Sequence, residues 1–405
     1  MIKHFVSILL LSYASYTTAQ SSSSIAALIA PQLAGIDVGA ERMSAYLPLL
    51  KGKRVALLVN QTSRVGAVHL VDTLQQLGLS ITKIFAPEHG FRGDADAGAH
   101  IGNSVDKKTG ITIISLYGKK QKPSAEDLAD IDIVVYDIQD VGCRFYTFLS
   151  TLHYLLEACA ENSKPLIVLD RPNPNGNYID GPILEMKYKS FVGIAPIPVV
   201  HGLTLGEYAK MAIGEKWIVD AEKLSLTVIT CKHYTHAMSY RLPVPPSPNL
   251  RNTRAIFLYP SLCFFEGTTV SVGRGTDFPF QVIGSPYTLI DSPFTFTPMS
   301  VTGATDPPYR GLLCKGYDLR HYRRDLHTEM KGINLHYLIQ LYQHCTDTAH
   351  FFSNPEFFDK LAGTDALRHA IIAGQSAEAI RKSWKPALDT YKAMRKKYLL
   401  YEDGK

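Results

Sequence analysis

The chain has 405 residues, of which 46% are hydrophobic, 10% aromatic and 20% charged, a composition typical of a globular protein with a large core. This composition excludes a disordered chain, a collagen and a small disulfide-stapled scaffold, and the length predicts two or three domains. The formal net charge is +5 without any long run of like charge, so the charge pattern does not call for a nucleic-acid partner.

The first residues are typical of a secretory signal peptide. Lys3 supplies a positive charge, residues 5–11 form a short apolar run, and residues 17–19 are small enough for cleavage. The apolar run is too short to span a bilayer of about 30 Å. We therefore expect residues 1–19 to be removed and the mature protein to be exported, with the periplasm as its destination. A buried N-terminal helix is the alternative interpretation.

Strand-like and helix-like segments alternate through the first half of the chain. Apolar segments predict strands at residues 54–60, 80–86, 111–117, 131–138 and 165–170. Helical spacing is present at residues 66–77 and 147–161. Continuous apolar strands that alternate with helices are typical of a parallel sheet covered on both faces. We therefore predict an α/β fold whose first domain, residues 35–240, is a Rossmann-like, doubly wound and mostly parallel sheet.

The pattern changes after a Pro-rich stretch at residues 243–248, which predicts a linker or a loop at a domain edge. The segments at residues 255–265 and 268–272 are short and bounded by turns. From residue 335 onward the spacing is helical. We predict a smaller α+β domain over residues 241–405 that closes a cleft against the first domain.

Six cysteines are present: Cys143, Cys159, Cys231, Cys263, Cys314 and Cys345. They form no C-x-x-C pair and no Cys/His cluster with zinc-ligand spacing. We expect them to pack as small hydrophobic residues and assign them no chemistry.

Polar side chains follow four of the predicted strands. In a doubly wound sheet, ligands bind outside the carboxyl ends of the strands. The residues at these ends are Asn60, Glu88, His89, Arg92, Asp137, Gln139, Asp140, Arg144, Tyr146, Asp170, Arg171, Asn173 and Asn175. Each residue type is also common in turns, but their convergence predicts a functional cleft.

Several well-known catalytic motifs are absent from the sequence. No G-x-G-x-x-G follows the first strand, and the P-loop, G-x-S-x-G and H-E-x-x-H motifs do not occur. The sequence therefore disfavours a dinucleotide enzyme, a serine hydrolase and a zinc protease of these types, and we predict no cofactor and no metal site. A metal-dependent amidase or esterase that uses Glu88, His89 and His100 stays open as an alternative.

The carboxylates of the cleft favour glycoside hydrolysis. That reaction needs one carboxylic acid to protonate the leaving oxygen and a second group to stabilise the cation or activate water. Glu88 follows an apolar strand, where partial burial suits a proton donor. Asp137 or Asp140 could supply the second carboxylate, and Glu266 could reach the cleft from the second domain. An ion pair between Asp137 and Arg144 is the structural alternative.

Eight stretches of the sequence are informative as a set: residues 86–93, 115–118, 136–147, 169–176, 200–207, 246–249, 271–276 and 395–401. Together and in this order they resemble the exo-β-N-acetylmuramidase (NamZ-type) family of glycoside hydrolases. The resemblance covers about residues 35–401, with Val272 where the family pattern has a glutamate. It implies removal of terminal N-acetylmuramic acid from the non-reducing end of peptidoglycan fragments, with a catalytic glutamate in the motif that contains Glu88.

Further roles follow from the chemistry of N-acetylmuramic acid. Its lactyl carboxylate suits a guanidinium group, for which the candidates are Arg92, Arg144, Arg171 and Arg274. Its hydroxyl and acetamido groups suit the side chains of Asn60, Gln139, Asn173, Asn175, Asn249 and His201. Tyr146 and Tyr117 could stack on the sugar, and we predict Asp140 as the second catalytic group. Glu207 pairs with Thr204 in the pattern of a capping box, so we place it outside the site.

Another function stays open at this stage. An exported protein with two lobes could bind muropeptides without cleaving them. The sequence also leaves open whether hydrolysis retains or inverts the anomeric configuration, because that depends on the distance between the two carboxyl groups.

Overall fold

The computed structural model describes residues 35–91, 102–323 and 325–403. The predicted signal peptide, Arg92 and His100 lie outside the described residues. Within the described part of the chain, no helix is both long and apolar enough to cross a membrane.

Strands and helices alternate through the first half of the chain, as predicted. In chain order they are α1 (Met43–Leu50), β1 (Arg54–Val59), β2 (Arg64–Val65), β3 (Val68–His69), α2 (Leu70–Gln76), β4 (Ser80–Ala86), β5 (Ser104–Val105), β6 (Thr112–Ser115), α3 (Ala125–Leu128), β7 (Ile133–Asp137), α4 (Phe148–Glu161), β8 (Leu166–Leu169), β9 (Asp180–Ile183), β10 (Pro198–Val200), α5 (Leu205–Gly214) and β11 (Leu226–Ile229). Seven of the strands form one sheet in the order β11-β8-β7-β1-β4-β6-β5.

The sheet is parallel except at its β5 edge, which pairs antiparallel with β6. Strand β1 lies in the middle, and every residue from Val55 to Val59 is buried. Its neighbours are β4 on one side and β7 on the other. From β1 the chain passes to β4, β5 and β6 on one side and then crosses to β7, β8 and β11 on the other side. The strand order therefore reverses between β1 and β7, which creates a crevice at the carboxyl ends of these strands. The predicted Rossmann-like sheet is confirmed.

The second half of the chain contains a smaller sheet and most of the remaining helices. Its elements are α6 (Thr253–Leu262), β12 (Val282–Ser285), β13 (Thr295–Phe296), β14 (Cys314–Asp318), α7 (Leu326–Glu329), α8 (His336–Gln343), α9 (Pro355–Ala362), α10 (Ala366–Ile372) and α11 (Ala377–Arg395). Strands β12, β14 and β13 form an antiparallel sheet in that order.

The segment at residues 255–265 differs from its prediction as a short, turn-bounded piece. Most of it is helix α6, followed by a 3₁₀ turn at Cys263–Gly267. The side chain of Asn252 accepts a hydrogen bond from the backbone N–H of Ala255, 3.0 Å away, and so caps the helix. Burial of the whole apolar run hides the helical period, because a helix covered on all sides lacks a polar face.

One hydrophobic core joins the two halves of the chain. The cluster around Phe148 and Leu152 of α4 continues to Phe264 and to Phe358 of α9. Residues from Ile36 onward form one compact unit, and the proposed boundary near residue 241 stays a prediction. All six cysteines lie in the described part, five of them buried and none in a disulfide, which confirms that they pack as small hydrophobic residues.

Candidate active site

Glu88 lies where the central sheet opens into a cavity. It follows β4 and begins a tight turn in which His89 and Gly90 both have positive φ, 67° and 77°. One carboxylate oxygen, Oε2, accepts a hydrogen bond from Thr147 Oγ1 at 2.6 Å. Thr147 immediately precedes α4. Three segments that are far apart in the sequence thus meet at this carboxyl group: the turn after β4, the segment before α4, and the segment after β6 that contains Tyr117.

Tyr117 is the second neighbour of Glu88. It follows β6, the strand next to β4 in the sheet. Burial raises the pKa of the Tyr117 hydroxyl, and the adjacent charge and hydrogen bond of Glu88 raise it further. Tyr117 therefore stays a neutral phenol at physiological pH, and its O–H can donate a hydrogen bond to the Glu88 carboxylate.

The cavity has a volume of about 720 Å³, within the range of ordinary small-molecule sites. Seven residues that the sequence analysis names lie on its wall: Glu88, His89, Tyr117, Tyr146, Asn249, Glu266 and Arg274. The wall is completed by aromatic and apolar side chains from both halves of the chain, including Phe145, Phe191, Tyr259, Phe265 and Phe280. A pocket of this kind, apolar with a few converging polar groups, suits a sugar, whose rings have apolar C–H faces.

Glu266 and Arg274 form an ion pair on the cavity wall. Both Nε and Nη2 of Arg274 lie 2.7 Å from Glu266 Oε1. Burial lowers the pKa of the Arg274 guanidinium, but the Glu266 charge and hydrogen bond outweigh that effect and raise it overall. About one fifth of each side chain is exposed. The guanidinium also lies over the Phe280 ring, 5.2 Å from its centroid, so this pair presents both a carboxylate and a guanidinium to a ligand.

Asp140 is not among the residues that line the cavity. It is buried, and its Oδ2 accepts a hydrogen bond from the N–H of Gly142 at 2.7 Å. His201 Nε2 lies 3.8 Å from the same oxygen. The other oxygen, Oδ1, has no hydrogen-bond partner among the described residues. Asp140 therefore shapes the loop after β7. Glu266 and Asp306 are the carboxylates that share the cavity with Glu88, and of these two Asp306 is 86% exposed and pairs with Arg310 at the surface, whereas Glu266 is largely buried.

Asp137 and Arg171 form a buried, bidentate ion pair. Arg171 donates from Nε at 2.5 Å and from Nη2 at 2.9 Å to the two oxygens of Asp137. The predicted alternative of an Asp137 ion pair is correct in kind, but the partner is not Arg144. The Arg144 side chain donates instead to three backbone carbonyls, those of Pro182, Ile197 and Leu361.

Asp170 also serves the interior of the protein. Its carboxylate accepts hydrogen bonds from Thr204 Oγ1 and the Tyr401 hydroxyl, both at 2.7 Å, and from the N–H of Gly206 at 2.9 Å. Burial raises the pKa of Asp170 to about 6. Thr204 and Glu207 exchange the two bonds of a capping box, as predicted.

The remaining predicted residues brace the loops that follow the strands. Asn173 Nδ2 donates to Leu203 O and Asn175 Nδ2 to Val141 O, each at 2.8 Å. Gln139 Nε2 donates to the carbonyls of Asp140 and of the distant Pro172. The other two accept from near neighbours: His201 Nδ1 accepts from the N–H of Leu203, and Asn60 Oδ1 accepts from the N–H and the hydroxyl of Thr62. None of these five residues is among those that line the cavity.

Sequence reasoning left out many of the polar and aromatic residues that reach the cavity, and four of them matter most for the site. They are Thr147, Gln121, Ser247 and Phe191. Thr147 offered a signal, because it opens a helix directly after a motif rich in polar residues. Phe191 offered none, since an isolated aromatic residue in a loop is normal in any sequence.

In the described part of the chain, no group of three or more His, Cys, Asp or Glu side chains could hold a metal ion. His89 lies on the cavity wall beside Glu88.

Comparison with known proteins finds similar proteins for most of the chain. Two family models match it, exo-β-N-acetylmuramidase NamZ, N-terminal, over residues 55–254 and exo-β-N-acetylmuramidase NamZ, C-terminal, over residues 257–401. The peptidoglycan β-N-acetylmuramidase NamZ of Bacillus subtilis (strain 168) is 41% identical over 374 residues, which cover 88% of this chain and 89% of the relative.

Two solved structures have the same fold. Both are crystal structures of DUF1343 family proteins from Bacteroides fragilis NCTC 9343. One is 48% identical with a TM-score of 0.84, and the other is 29% identical with a TM-score of 0.75. Each comparison covers 91% of this chain and 99% of the other.

Proposed function

The chain belongs to the exo-β-N-acetylmuramidase NamZ family of glycoside hydrolases, and from this premise we propose that Glu88 is its general acid. In this proposal the enzyme cleaves the β-1,4 bond of a terminal, non-reducing N-acetylmuramic acid in peptidoglycan fragments. The observation that carries the proposal is the Glu88 carboxyl group on the cavity wall, held 2.6 Å from Thr147 Oγ1.

The neighbours of Glu88 suit a group that gives up a proton. A hydroxyl can accept or donate a hydrogen bond, so Thr147 can accept from the protonated acid and donate to the carboxylate that remains after transfer. The Tyr117 hydroxyl can donate to the same carboxylate. Both contacts fix the direction in which the proton leaves, which general acid catalysis requires.

For the second catalytic group, the structure favours Glu266 over Asp140. Glu266 lines the same cavity as Glu88, whereas Asp140 is buried outside the lining. The hydrogen bond from Arg274 Nε and the ion-pair contact of its Nη2 hold the Glu266 carboxyl group in position on the cavity wall. A fixed carboxylate of this kind can stabilise the positive charge that develops on the sugar ring.

Arg274 and Asn249 suit the distinctive groups of N-acetylmuramic acid. A guanidinium that already pairs with Glu266 can still offer its remaining N–H groups to the lactyl carboxylate. Asn249 lines the cavity and is held by a hydrogen bond from its Nδ2 to Gly303 O at 2.9 Å. Its side-chain carbonyl can accept from a hydroxyl or from the acetamido N–H.

The test is hydrolysis of N-acetylmuramyl-β-1,4-N-acetylglucosamine, followed by mass spectrometry, with the wild type beside Glu88→Gln. We expect free N-acetylmuramic acid from the wild type and about a 10³-fold lower kcat from the variant, because general acid catalysis contributes about 10²–10⁴-fold. Glu266→Gln and Asp140→Asn are the matched pair for the second group, and the larger loss of kcat is expected from Glu266→Gln. Wild-type turnover by Glu88→Gln would refute the assignment of the acid.

We also propose that the protein acts after export, in the periplasm, and has no nucleic-acid partner. The support is the charge and apolar pattern of residues 1–19 and the lack of a long basic run. Two measurements test the export: the mass of the mature protein, which shows whether the first residues are removed, and the cell fraction in which the protein is found. An uncleaved chain in the cytoplasm would contradict it.

A further inference from the structure

Three aromatic rings meet at one part of the cavity. Tyr117 and Phe191 both line it, and their ring centroids are 5.8 Å apart with the planes tilted by 56°. Tyr154, from helix α4, stacks on Phe191 with nearly parallel planes, 9° apart, and a centroid distance of 6.3 Å. All three residues are partly exposed. Tyr117 and Phe191 present their rings to the cavity, and Tyr154, which is not among the lining residues, extends the aromatic cluster behind Phe191.

Phe191 is held at the tip of a tight turn. The N–H of Ser190 donates to Gly193 O at 2.8 Å, and the N–H of Gly193 donates back to Ser190 O at 3.1 Å. The turn packs closely on the protein, because a Cβ at Gly193 would lie 3.3 Å from Leu184 Cδ1 and 3.6 Å from Arg144 Nε. The turn therefore lies against Leu184 and Arg144, and its two backbone hydrogen bonds hold Phe191 at the cavity wall.

Phe191 and the guanidinium of Arg274 both line the cavity and are reached from Glu88 through two different series of contacts. Tyr117 contacts Glu88 and leads to Phe191. A separate series of contacts leads to Arg274. It runs from Tyr146 to Tyr259 at 5.9 Å, from Tyr259 to Phe280 at 5.0 Å, and from Phe280 to the Arg274 guanidinium at 5.2 Å. Both series begin near Glu88. The first begins at its neighbour Tyr117, and the second begins at Tyr146, which directly precedes the Thr147 that bonds to Glu88.

This arrangement gives the substrate a direction. A general acid protonates the glycosidic oxygen, so it lies beside the bond between the two sugars. The lactyl carboxylate directs N-acetylmuramic acid toward the guanidinium of Arg274. We propose that Tyr117, Phe191 and Tyr154 form a leaving-group platform, on which the N-acetylglucosamine unit that departs stacks the apolar face of its ring. The inference rests on the function proposed above and assigns the other half of the substrate.

The surroundings of the platform suit an uncharged sugar. Lys122, which lies near Tyr154, is already paired with Glu157 at 3.4 Å and Glu161 at 2.7 Å. Gln121 lines the cavity beside the platform and offers an amide to a hydroxyl or acetamido group. N-acetylglucosamine, which carries no charge, fits an aromatic surface with a neutral polar neighbour.

Inhibition by the two halves of the substrate tests the platform. The enzyme hydrolyses N-acetylmuramyl-β-1,4-N-acetylglucosamine in the presence of N,N′-diacetylchitobiose or of free N-acetylmuramic acid. In Phe191→Ala, we expect the inhibition constant of diacetylchitobiose to rise about tenfold, since about 50 Å² of apolar contact is lost. The inhibition constant of N-acetylmuramic acid is expected to stay within about twofold of the wild type.

Tyr287→Ala is the matched control, because Tyr287 is an aromatic residue, 46% exposed, that does not line the cavity. It should change neither constant. Tyr154→Ala removes only the outer ring and keeps the test available if Phe191→Ala does not fold; a rise of about threefold for diacetylchitobiose alone is expected.

An unchanged constant for diacetylchitobiose in a folded Phe191→Ala variant would overturn the platform, and so would an equal rise in both constants. Titration calorimetry of Glu88→Gln with diacetylchitobiose separates this inference from the proposed function. Binding at wild-type strength supports the platform whatever the turnover of that variant shows. Lack of binding to the wild type itself would overturn the platform and leave the role of Glu88 intact.

Discussion

The loops that follow the strands and the wall of the cavity contain the same kinds of residue, but the two regions use them differently. On the loops, Asp137 and Asp170 are buried and bonded to other parts of the protein. On the wall, Glu88 and Glu266 keep part of their surface open to the cavity. A polar residue at a strand end is thus more often part of the support than part of the site.

The difference lies in the hydrogen-bond partners. A buried carboxylate must have its bonds satisfied within the protein, otherwise its burial costs several kcal/mol. Asp170 has three donors around it. A catalytic carboxylate needs a free direction toward the substrate, so its protein partners occupy only one side. The predictions below test whether this distinction separates stability from activity.

The largest effect on stability is expected from Asp137→Asn. The substitution leaves the guanidinium of Arg171, only 4% exposed, without its counter-charge, and breaking a buried pair costs about 3–5 kcal/mol. Urea unfolding followed by circular dichroism measures the loss, and kcat of the folded fraction should stay near that of the wild type.

The matched control for this pair is Asp132→Asn. Asp132 also binds an arginine, Arg54, through two oxygens, but 53% of the Arg54 side chain is exposed. Asp132→Asn should lower the free energy of unfolding much less than Asp137→Asn, because water screens an exposed pair. Equal losses for the two substitutions would contradict the idea that burial decides the effect.

A pH series with Asp170→Asn should give the next largest effect. The pKa of Asp170 is raised by burial from 3.8 to about 6, so the folded state binds this proton more tightly than the unfolded state. The resulting stabilisation is complete below pH 3.8 and is lost as the pH rises through 6. The unfolding free energy of the wild type minus that of the variant should therefore fall by about 3 kcal/mol between these limits.

Urea unfolding at several pH values measures this difference, in which the contributions of other groups cancel. Asp132→Asn should have the opposite slope, because the hydrogen bonds and charge of Arg54 lower the pKa of Asp132. Its stabilisation is present above the unfolded pKa and is lost as the pH falls. A pH-independent difference for Asp170→Asn would show that Asp170 keeps an ordinary pKa.

The sheet could be predicted because its strands are continuous apolar runs, such as Ile133–Asp137, that end in polar loops. Helix α6 could not be predicted, since its buried apolar run shows no helical period. The position of Glu88 at the cavity could be predicted from its place directly after an apolar strand. Which of Asp140 and Glu266 lines the cavity could not be predicted. Both are acids near glycines, and only the tertiary packing decides which of them faces the cavity.

The partners of individual side chains were equally out of reach. Asp137 has two arginines within reach along the chain, Arg144 and Arg171, and the sequence does not indicate which one pairs with it. The fold settles the matter, since the Arg144 side chain is held by three carbonyls, among them that of Leu361 from the second half of the chain. Contacts of such long range carry no local pattern.

The smallest expected effect is the sharpest test of the boundary between the two regions. Thr147 is half-buried at the end of the polar motif after β7, and its hydroxyl bonds to Glu88 at 2.6 Å. Thr147→Val keeps the shape of the side chain, and the helix loses no cap because the Thr147 side chain makes no capping bond to α4. We expect kcat to fall about tenfold, which corresponds to one hydrogen bond to a charged group, with unfolding changed by less than about 0.5 kcal/mol.

Thr147→Ser restores the hydroxyl and should recover most of the wild-type kcat. Initial rates on N-acetylmuramyl-β-1,4-N-acetylglucosamine and urea unfolding of both variants complete the comparison. If Thr147→Val kept wild-type kcat but lost stability, Thr147 would belong with the loops, as Asp137 does, and contact with Glu88 would not be sufficient to place a residue in the catalytic site. A loss of kcat alone, restored by serine, means that one hydrogen bond to the acid separates the two regions.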